Sequence, residues 1–199
     1  MENFIELLKC LETEHEKASL EWQNKNTVKT INTKKILVSD VFENKSHLDP
    51  IFRYKMFLDK HIIDSLIALI KQFEFRFETR VKTQNSIESK IAKYTNNKNE
   101  GKIPLKKCLN DLLGVRIILE NCITFKEIFN LINKKNIPVK CIDSNKDEYN
   151  ATHVYFKTES NYDFQWELQI WDKTHEQANR ESHRKYKQGY TKWEAGEKE

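Results

Sequence analysis

The chain has 199 residues, of which 38% are hydrophobic and 32% charged, and that length suits a single globular domain with a highly charged surface. The longest apolar stretch, Ile62 to Ile70, is broken by Asp64 and Ser65 and is too short to span a bilayer, and Met1–Glu6 lacks the basic start of a secretory signal, so a cytoplasmic protein is expected. The net charge of +4 is compatible with a polyanionic ligand but too small to mark a nucleic-acid binder. Cys10, Cys108, Cys122 and Cys141 show no CxxC spacing, which argues against zinc and for reduced thiols acting as small core hydrophobes.

Phe4, Leu7, Leu8 and Leu11 recur at helical spacing and predict an amphipathic helix to about Trp22. Residues 24–49 are mixed and polar, with a short strand expected at 35–38. Pro50 opens a long helical pattern to about Phe73, with Ile51, Tyr54, Phe57, Leu58, Ile62, Leu66 and Leu69 on its core face. From Phe73 the period changes to two, giving a strand that runs on through Arg80 and Lys82. Ser86–Tyr94 reads as helix, 96–104 as an exposed polar loop, Gly114–Leu119 as strand and Phe125–Lys135 as helix. Strands are expected at about 137–142, 152–157 and 164–170, and a charged helix from Asp172 to about Trp193. Helices first, then alternating strands and helices, then adjacent strands and a closing helix predict an α+β (mixed α/β) chain, its mixed sheet packed against helices. The domain reading is an N-terminal helical region, 1–74, packing on a core of 75–199, one domain in all.

Four pieces carry chemistry. In 164–170, strand alternation puts Phe164, Trp166, Leu168 and Ile170 on a buried face and Gln165, Glu167 and Gln169 on the other. Alone, that second face also reads as a solvated polar surface. Asp111 stands just before a strand and Arg116 two residues beyond Gly114, so opposite charges meet at a sheet end where α/β folds bind ligands; a lone Asp there also reads as a cap. With Glu167 it makes two carboxylates, the usual protein share of a Mg²⁺ site on a nucleotide polyphosphate. Arg80 and Lys82 share a strand face, and Ser86, Lys90 and Lys93 share a helix face, a cationic set suited to a triphosphate or, equally, to solvent. Tyr149 and His153 precede a strand, and His175, Asn179, His183 and Lys187 form one polar helix stripe.

In this order and spacing the pieces resemble the synthetase domain of the RelA/SpoT family, makers of the alarmone nucleotides, over roughly residues 75–190. Arg80-x-Lys82 with Ser86-Ile87-x-x-Lys90 is similar to the ATP-binding segment, and Asp111-x-x-Gly114-x-Arg116 to the family's Asp-x-x-Gly-x-Arg. Tyr149-x-x-x-His153 resembles the acceptor loop, Glu167-Leu-Gln169-Ile the Glu-Ile-Gln-Ile strand, and His183-x-x-Tyr186-Lys187 follows at the expected distance. The resemblance implies a mixed five-stranded sheet flanked by helices, nucleotidyltransferase-like, and transfer of the β,γ-pyrophosphate of ATP to a ribose 3′-hydroxyl. It implies Asp111 and Glu167 as Mg²⁺ ligands, Arg80 and Arg116 around adenine, and Lys82, Ser86, Lys90 and Lys93 with the triphosphate. Tyr149 would stack on the acceptor base, His153 and Gln169 would position the acceptor, and Glu167 would take the hydroxyl proton.

Departures cluster on the acceptor side. Glu148 and Asn150 flank Tyr149 where the family has Gly and a basic residue, and the loop after Cys141 is shorter and lacks a Lys-Pro run. Trp171-Asp172 replace Arg-Thr, and Ser182 replaces Glu. The acceptor is therefore left open between GDP or GTP, an adenine nucleotide and the 3′-terminal adenosine of tRNA, the last two used by toxic small members, some of them paired with an antitoxin protein. The oligomeric state is open too. His61 and Asp64 both fit a helix face and do not make the family's hydrolase pair. The rival reading is a catalytically inactive RNA- or protein-binding module of the same fold.

Overall fold

A computed structural model describes residues 2–25, 31–96, 100–121 and 123–194, with side chains described to 185. Chain order gives helix α1 (Glu2–Lys25), α2 (Val38–Glu43), α3 (Leu48–Phe57), α4 (Ile63–Lys71), strand β1 (Arg76–Val81), α5 (Gln84–Thr95), α6 (Leu105–Cys108), β2 (Leu113–Leu119), α7 (Phe125–Lys134), β3 (Lys140–Asp143), β4 (Ala151–Phe156), β5 (Trp166–Asp172) and α8 (Glu176–Glu194). The strands form one sheet in the order β1-β2-β5-β4-β3. Among the described strands, only β2 and β5 run parallel. The fold is thus a mixed five-stranded sheet flanked by helices.

The register sorts the sheet into two faces of opposite character. Phe77, Thr79 and Val81 pair with Ile117, Val115 and Leu113, which pair in turn with Ile170, Leu168 and Trp166. This is the apolar face, and α1, α4 and α7 lie against its strands. Trp166 ties the layers together: its indole N–H donates to the Tyr54 hydroxyl at 3.1 Å, and Tyr54 meets Trp22 edge-on at 5.1 Å. The other face carries Glu78, Arg80, Gly114, Arg116, Glu167, Gln169, Tyr155 and His153 in adjacent rows. It is not solvated: Glu167 and Gln169 are only 6% and 7% exposed, because α8 lies over this side.

Local chemistry explains where expectation and structure part. At 35–38 there is a single bridge, Leu37 to Pro104, rather than a strand. Asp40 accepts the Leu37 N–H at 2.8 Å and turns Val38 into a helix start, a capping contact that outcompetes β propensity. The chain closes against Gly101, whose φ is +69° and where a Cβ would sit 2.8 Å from the Ser39 nitrogen. The long helix is interrupted by a π-helical turn at Leu58–Ile62, and Glu74, at φ 55°, ends it and delays β1 to Arg76. The loop after Gly101 gives way to α6, short enough to escape a periodicity argument. His175 lies in a one-turn helix before α8, and Asn179 is fully buried, so the expected polar stripe is not a solvated one. The side chains of Tyr186 and Lys187, and Cys122, lie outside the described residues. Cys108 is buried, its thiol pushed up to about 12 by that burial.

A buried polar cluster anchors α1. Lys106 donates to Asp163 at 2.9 Å, as does Thr158 at 2.8 Å. The His15 Nε2–H donates to the Phe164 carbonyl at 3.0 Å, which leaves its Nδ1 buried without a hydrogen-bond partner. A proton on Nδ1 would therefore have no acceptor, and burial holds the pKa of His15 below its usual value despite Asp163 and Glu16 and with Lys106 opposing the charge. A depressed histidine pKa means that the unfolded chain binds the proton more readily. Stability should hold above about pH 6.5 and fall below it, by up to about 1.4 kcal/mol per pH unit. Carboxylates such as Asp111, with depressed pKa values, lose stability only in a lower window, below about pH 4. Urea unfolding from pH 5 to 8 should show the loss in the native chain and a flat profile in His15→Gln. An equal acid loss in that variant would clear His15.

Candidate active site

The polar face is built around two carboxylates at the ends of neighbouring parallel strands. Asp111 precedes β2, and Glu167 lies on β5 directly beside Gly114. Asp111 accepts from Lys82 at 2.6 Å and from Lys90 at 3.1 Å, with Arg80 at 3.9 Å. Lys82 is brought there by its own N–H, which pairs with the Leu112 carbonyl at 2.8 Å and carries β1 one residue further. Lys90 arrives from α5, whose start is capped by the Thr83 hydroxyl. Burial alone would disfavour the Asp111 charge, yet Lys90 and Lys82 hold its carboxyl well below the usual range. Ser86 is exposed in the first turn of α5 and hydrogen-bonded to Thr83, and Lys93 is half-buried one turn beyond Lys90.

Glu167 is held by a second network. Its Oε1 accepts from the Tyr155 hydroxyl at 2.9 Å and lies 3.2 Å from His153 Nδ1, while Oε2 accepts from Gln169 at 2.7 Å. The Trp171 indole N–H, which can only donate, reaches the Tyr149 oxygen at 3.2 Å. The Tyr149 proton is then free to point to His153 Nε2, 2.9 Å away. That assigns the histidine proton to Nδ1, facing Glu167. Burial would raise the Glu167 pKa, but the His153 contact, joined by Tyr155, brings it below the ordinary carboxylate value. Burial pushes the Tyr149 phenol up to about 12.

Between the two networks opens a cavity of about 390 Å³, lined by Arg80, Arg116, Glu167, Gln169 and Trp171 from the sheet and by Arg180, His183 and Arg184 from α8. That is within the range for small-molecule sites. Arg116 is fixed on three sides: its guanidinium carbon sits over the Trp171 ring, 3.6 Å from the ring centre, and it donates to Glu78 at 2.7 Å and to Gln169 at 2.9 Å. Glu78 also pairs with Arg180, and Arg76 with Glu176 at 2.6 Å, docking α8 across the opening. Gly114 leaves the floor to the Arg80 side chain, 3.7 Å from where a Cβ would stand.

The structure therefore brings Arg80, Arg116, Glu167 and Gln169 into one cavity. It places Asp111, Lys82 and Lys90 beside it, and His153 behind Glu167. Tyr149 is half-buried, its hydroxyl engaged by Trp171 and His153, and it does not line the cavity. Sequence reasoning missed Tyr155, which the period-two rule could have found two residues after His153. It also missed Glu78 and Arg180, whose partners are remote in sequence. Among the described residues no three His, Cys, Asp or Glu side chains cluster as a metal site. The donor chemistry fits a Mg²⁺ ion held by two carboxylates and a nucleotide: both are hard oxygen ligands, carried at the starts of the neighbouring strands β2 and β5.

The fold and this cavity define a mixed α/β protein with a cleft on one sheet face, lined by Arg80, Arg116, Arg180 and Arg184 together with Glu78 and Glu167. The chain belongs to the RelA/SpoT family: the profile described as a region found in RelA/SpoT proteins matches residues 79–191. No curated protein matches the chain. Among solved structures it is similar to a GTP pyrophosphokinase family protein from Streptococcus pneumoniae, at 21% identity and a TM-score of 0.43 over 73% of this chain and 78% of that one. It is also similar to the small alarmone synthetase 2 from Bacillus subtilis, at 20% identity and a TM-score of 0.44 over 72% and 81%. Among the described residues, no helix is long and apolar enough to cross a membrane.

Proposed function

We propose that the chain is a Mg²⁺-dependent pyrophosphokinase that moves the β,γ-pyrophosphate of ATP to a ribose 3′-hydroxyl. The observation that carries this reading is the pair of buried carboxylates, Asp111 and Glu167, on neighbouring strands beside one arginine-lined cavity. Asp111 and Glu167 would hold the ion, which supplies charge neutralisation on the phosphate oxygens. Lys82 and Lys90 neutralise Asp111 in the free protein and would turn to the triphosphate when it arrives. Glu167 would accept the 3′-hydroxyl proton as O3′ attacks the β-phosphorus, the Pα–O–Pβ bond breaks and AMP leaves. The residues position the reactants and balance charge.

Arg80 and Arg116 would face adenine with their guanidinium planes. Arg116 is already pinned by Trp171, Glu78 and Gln169, so its plane is ordered before ligand arrives. Arg80→Ala and Arg116→Ala should each weaken ATP binding by about 0.5–2 kcal/mol in calorimetry. Unchanged affinity in both variants would remove adenine from this wall.

The acceptor is either GDP or GTP, or the 3′-terminal adenosine of tRNA, with Gln169 in the cavity wall and Tyr149 and His153 next to it, outside the lining. The test is to incubate the protein with γ-labelled ATP, Mg²⁺ and each acceptor separately, at rising salt. A tRNA acceptor should lose label steeply with salt, since each phosphate contact adds roughly −0.7 to the slope. Labelling of GDP or GTP with tRNA left unlabelled at low salt would decide for the nucleotide, and labelling of none would sink the pyrophosphokinase reading.

A further inference from the structure

Asn179 is fully buried on α8, yet its partner is neither on its own helix nor in the cavity. Its Oδ1 accepts the Asn150 backbone N–H and its Nδ2 donates to the Asn150 backbone carbonyl, both at 2.7 Å. A side-chain amide is the neutral group that can meet both halves of one residue's main chain, as a neighbouring strand would. Asn150 follows Tyr149 directly. The rest of the loop is tied from the other side: Lys146 and Tyr149 exchange backbone hydrogen bonds at 2.9 Å, and Asn145 accepts the Ala151 N–H at 3.0 Å. Tyr149 is thus fixed at its hydroxyl by Trp171 and His153, and at its backbone neighbour by Asn179.

The same residue fixes α8. Arg180, next in sequence, reaches Glu78, and His183, one turn on, lines the cavity. We infer that Asn179 is a positioning residue for the acceptor: it clamps the 143–151 loop to α8, so that Tyr149 and the α8 side of the cavity are placed together. This rests on the reading that this loop receives the acceptor. In the proposed reading ATP would lie on the β1, β2 and α5 side, whereas both hydrogen bonds of the Asn179 amide go to Asn150.

The test uses the full chain with Asn179→Ala, Asn179→Ser, which keeps one hydrogen-bonding group, and Tyr149→Ala. Losing two part-buried hydrogen bonds should raise the acceptor KM by about tenfold in Asn179→Ala and by less in Asn179→Ser, with ATP affinity within about twofold. Hydrogen exchange at the Asn150 amide should accelerate in the same order. Should Asn179→Ala fail to fold, the serine variant carries both readouts. If Tyr149→Ala raises the acceptor KM while the Asn179 variants leave it unchanged, the clamp proposal falls and the acceptor reading stands. If Tyr149→Ala leaves that KM unchanged, the acceptor reading itself falls, whatever the exchange rates show. A parallel loss of ATP affinity and acceptor KM in the Asn179 variants would reduce the residue to a structural role and overturn the inference.

Discussion

Glu167→Gln is expected to lower pyrophosphate transfer by at least ~10²-fold while the chain still folds, because proton acceptance and metal binding both need the charge. The neighbours give the loss a structural route as well. Tyr155 and His153 both direct protons at Oε1, so the new amide oxygen must stay there and its NH₂ must face the Gln169 amide. Gln169 then has to flip, and the oxygen that Arg116 uses leaves with it. One isosteric change would therefore reach from the proton acceptor to the cavity wall. Transfer measured with labelled ATP, beside a thermal melt, separates this from unfolding. Near-normal transfer in the variant would remove Glu167 from the chemistry.

Asp111→Asn should produce the second large effect, in stability as much as in rate. The substitution leaves Lys82 and Lys90 close together with no counter-charge, and their side chains are each only 11% exposed. Breaking a buried pair from one side costs on the order of 3 kcal/mol or more, or about 6–12 °C in Tm for a chain of this size. Turnover should be lost with it. Saturating ATP should restore part of the Tm, since its phosphates resupply the missing negative charge and binding to the folded form stabilises it. A Tm equal to the native value, with or without ATP, would mean that the two lysines do not depend on Asp111.

How far the sequence went can be seen in particular residues. The alternation around Glu167 placed Trp166, Leu168 and Ile170 on the apolar face and Glu167 and Gln169 on the other, because strand geometry is local. It could not tell that the second face is covered, since that depends on α8 docking through Glu78–Arg180 and Asn150–Asn179, contacts that join residues far apart in the chain. Asp111 was legible as an acid at a strand start, but not as the centre of a two-lysine cluster. The resemblance makes Tyr149 a stacking platform, and the fold also engages its hydroxyl with Trp171 and His153. Trp171 is a departure from the family pattern, yet it supports both Arg116 and Tyr149. The strand expected at 35–38 failed for a local reason, the Asp40 cap. The long helix was interrupted by a π turn that no periodic rule signals.

The central claim is that two phosphates move as one unit, and the products of a single turnover test it most directly. Protein, Mg²⁺, ATP and the acceptor should yield AMP and a modified acceptor in equal amounts, the acceptor gaining two phosphates by mass. Formation of ADP with an acceptor that gains one phosphate, or AMP with free pyrophosphate and an unchanged acceptor, would contradict the account.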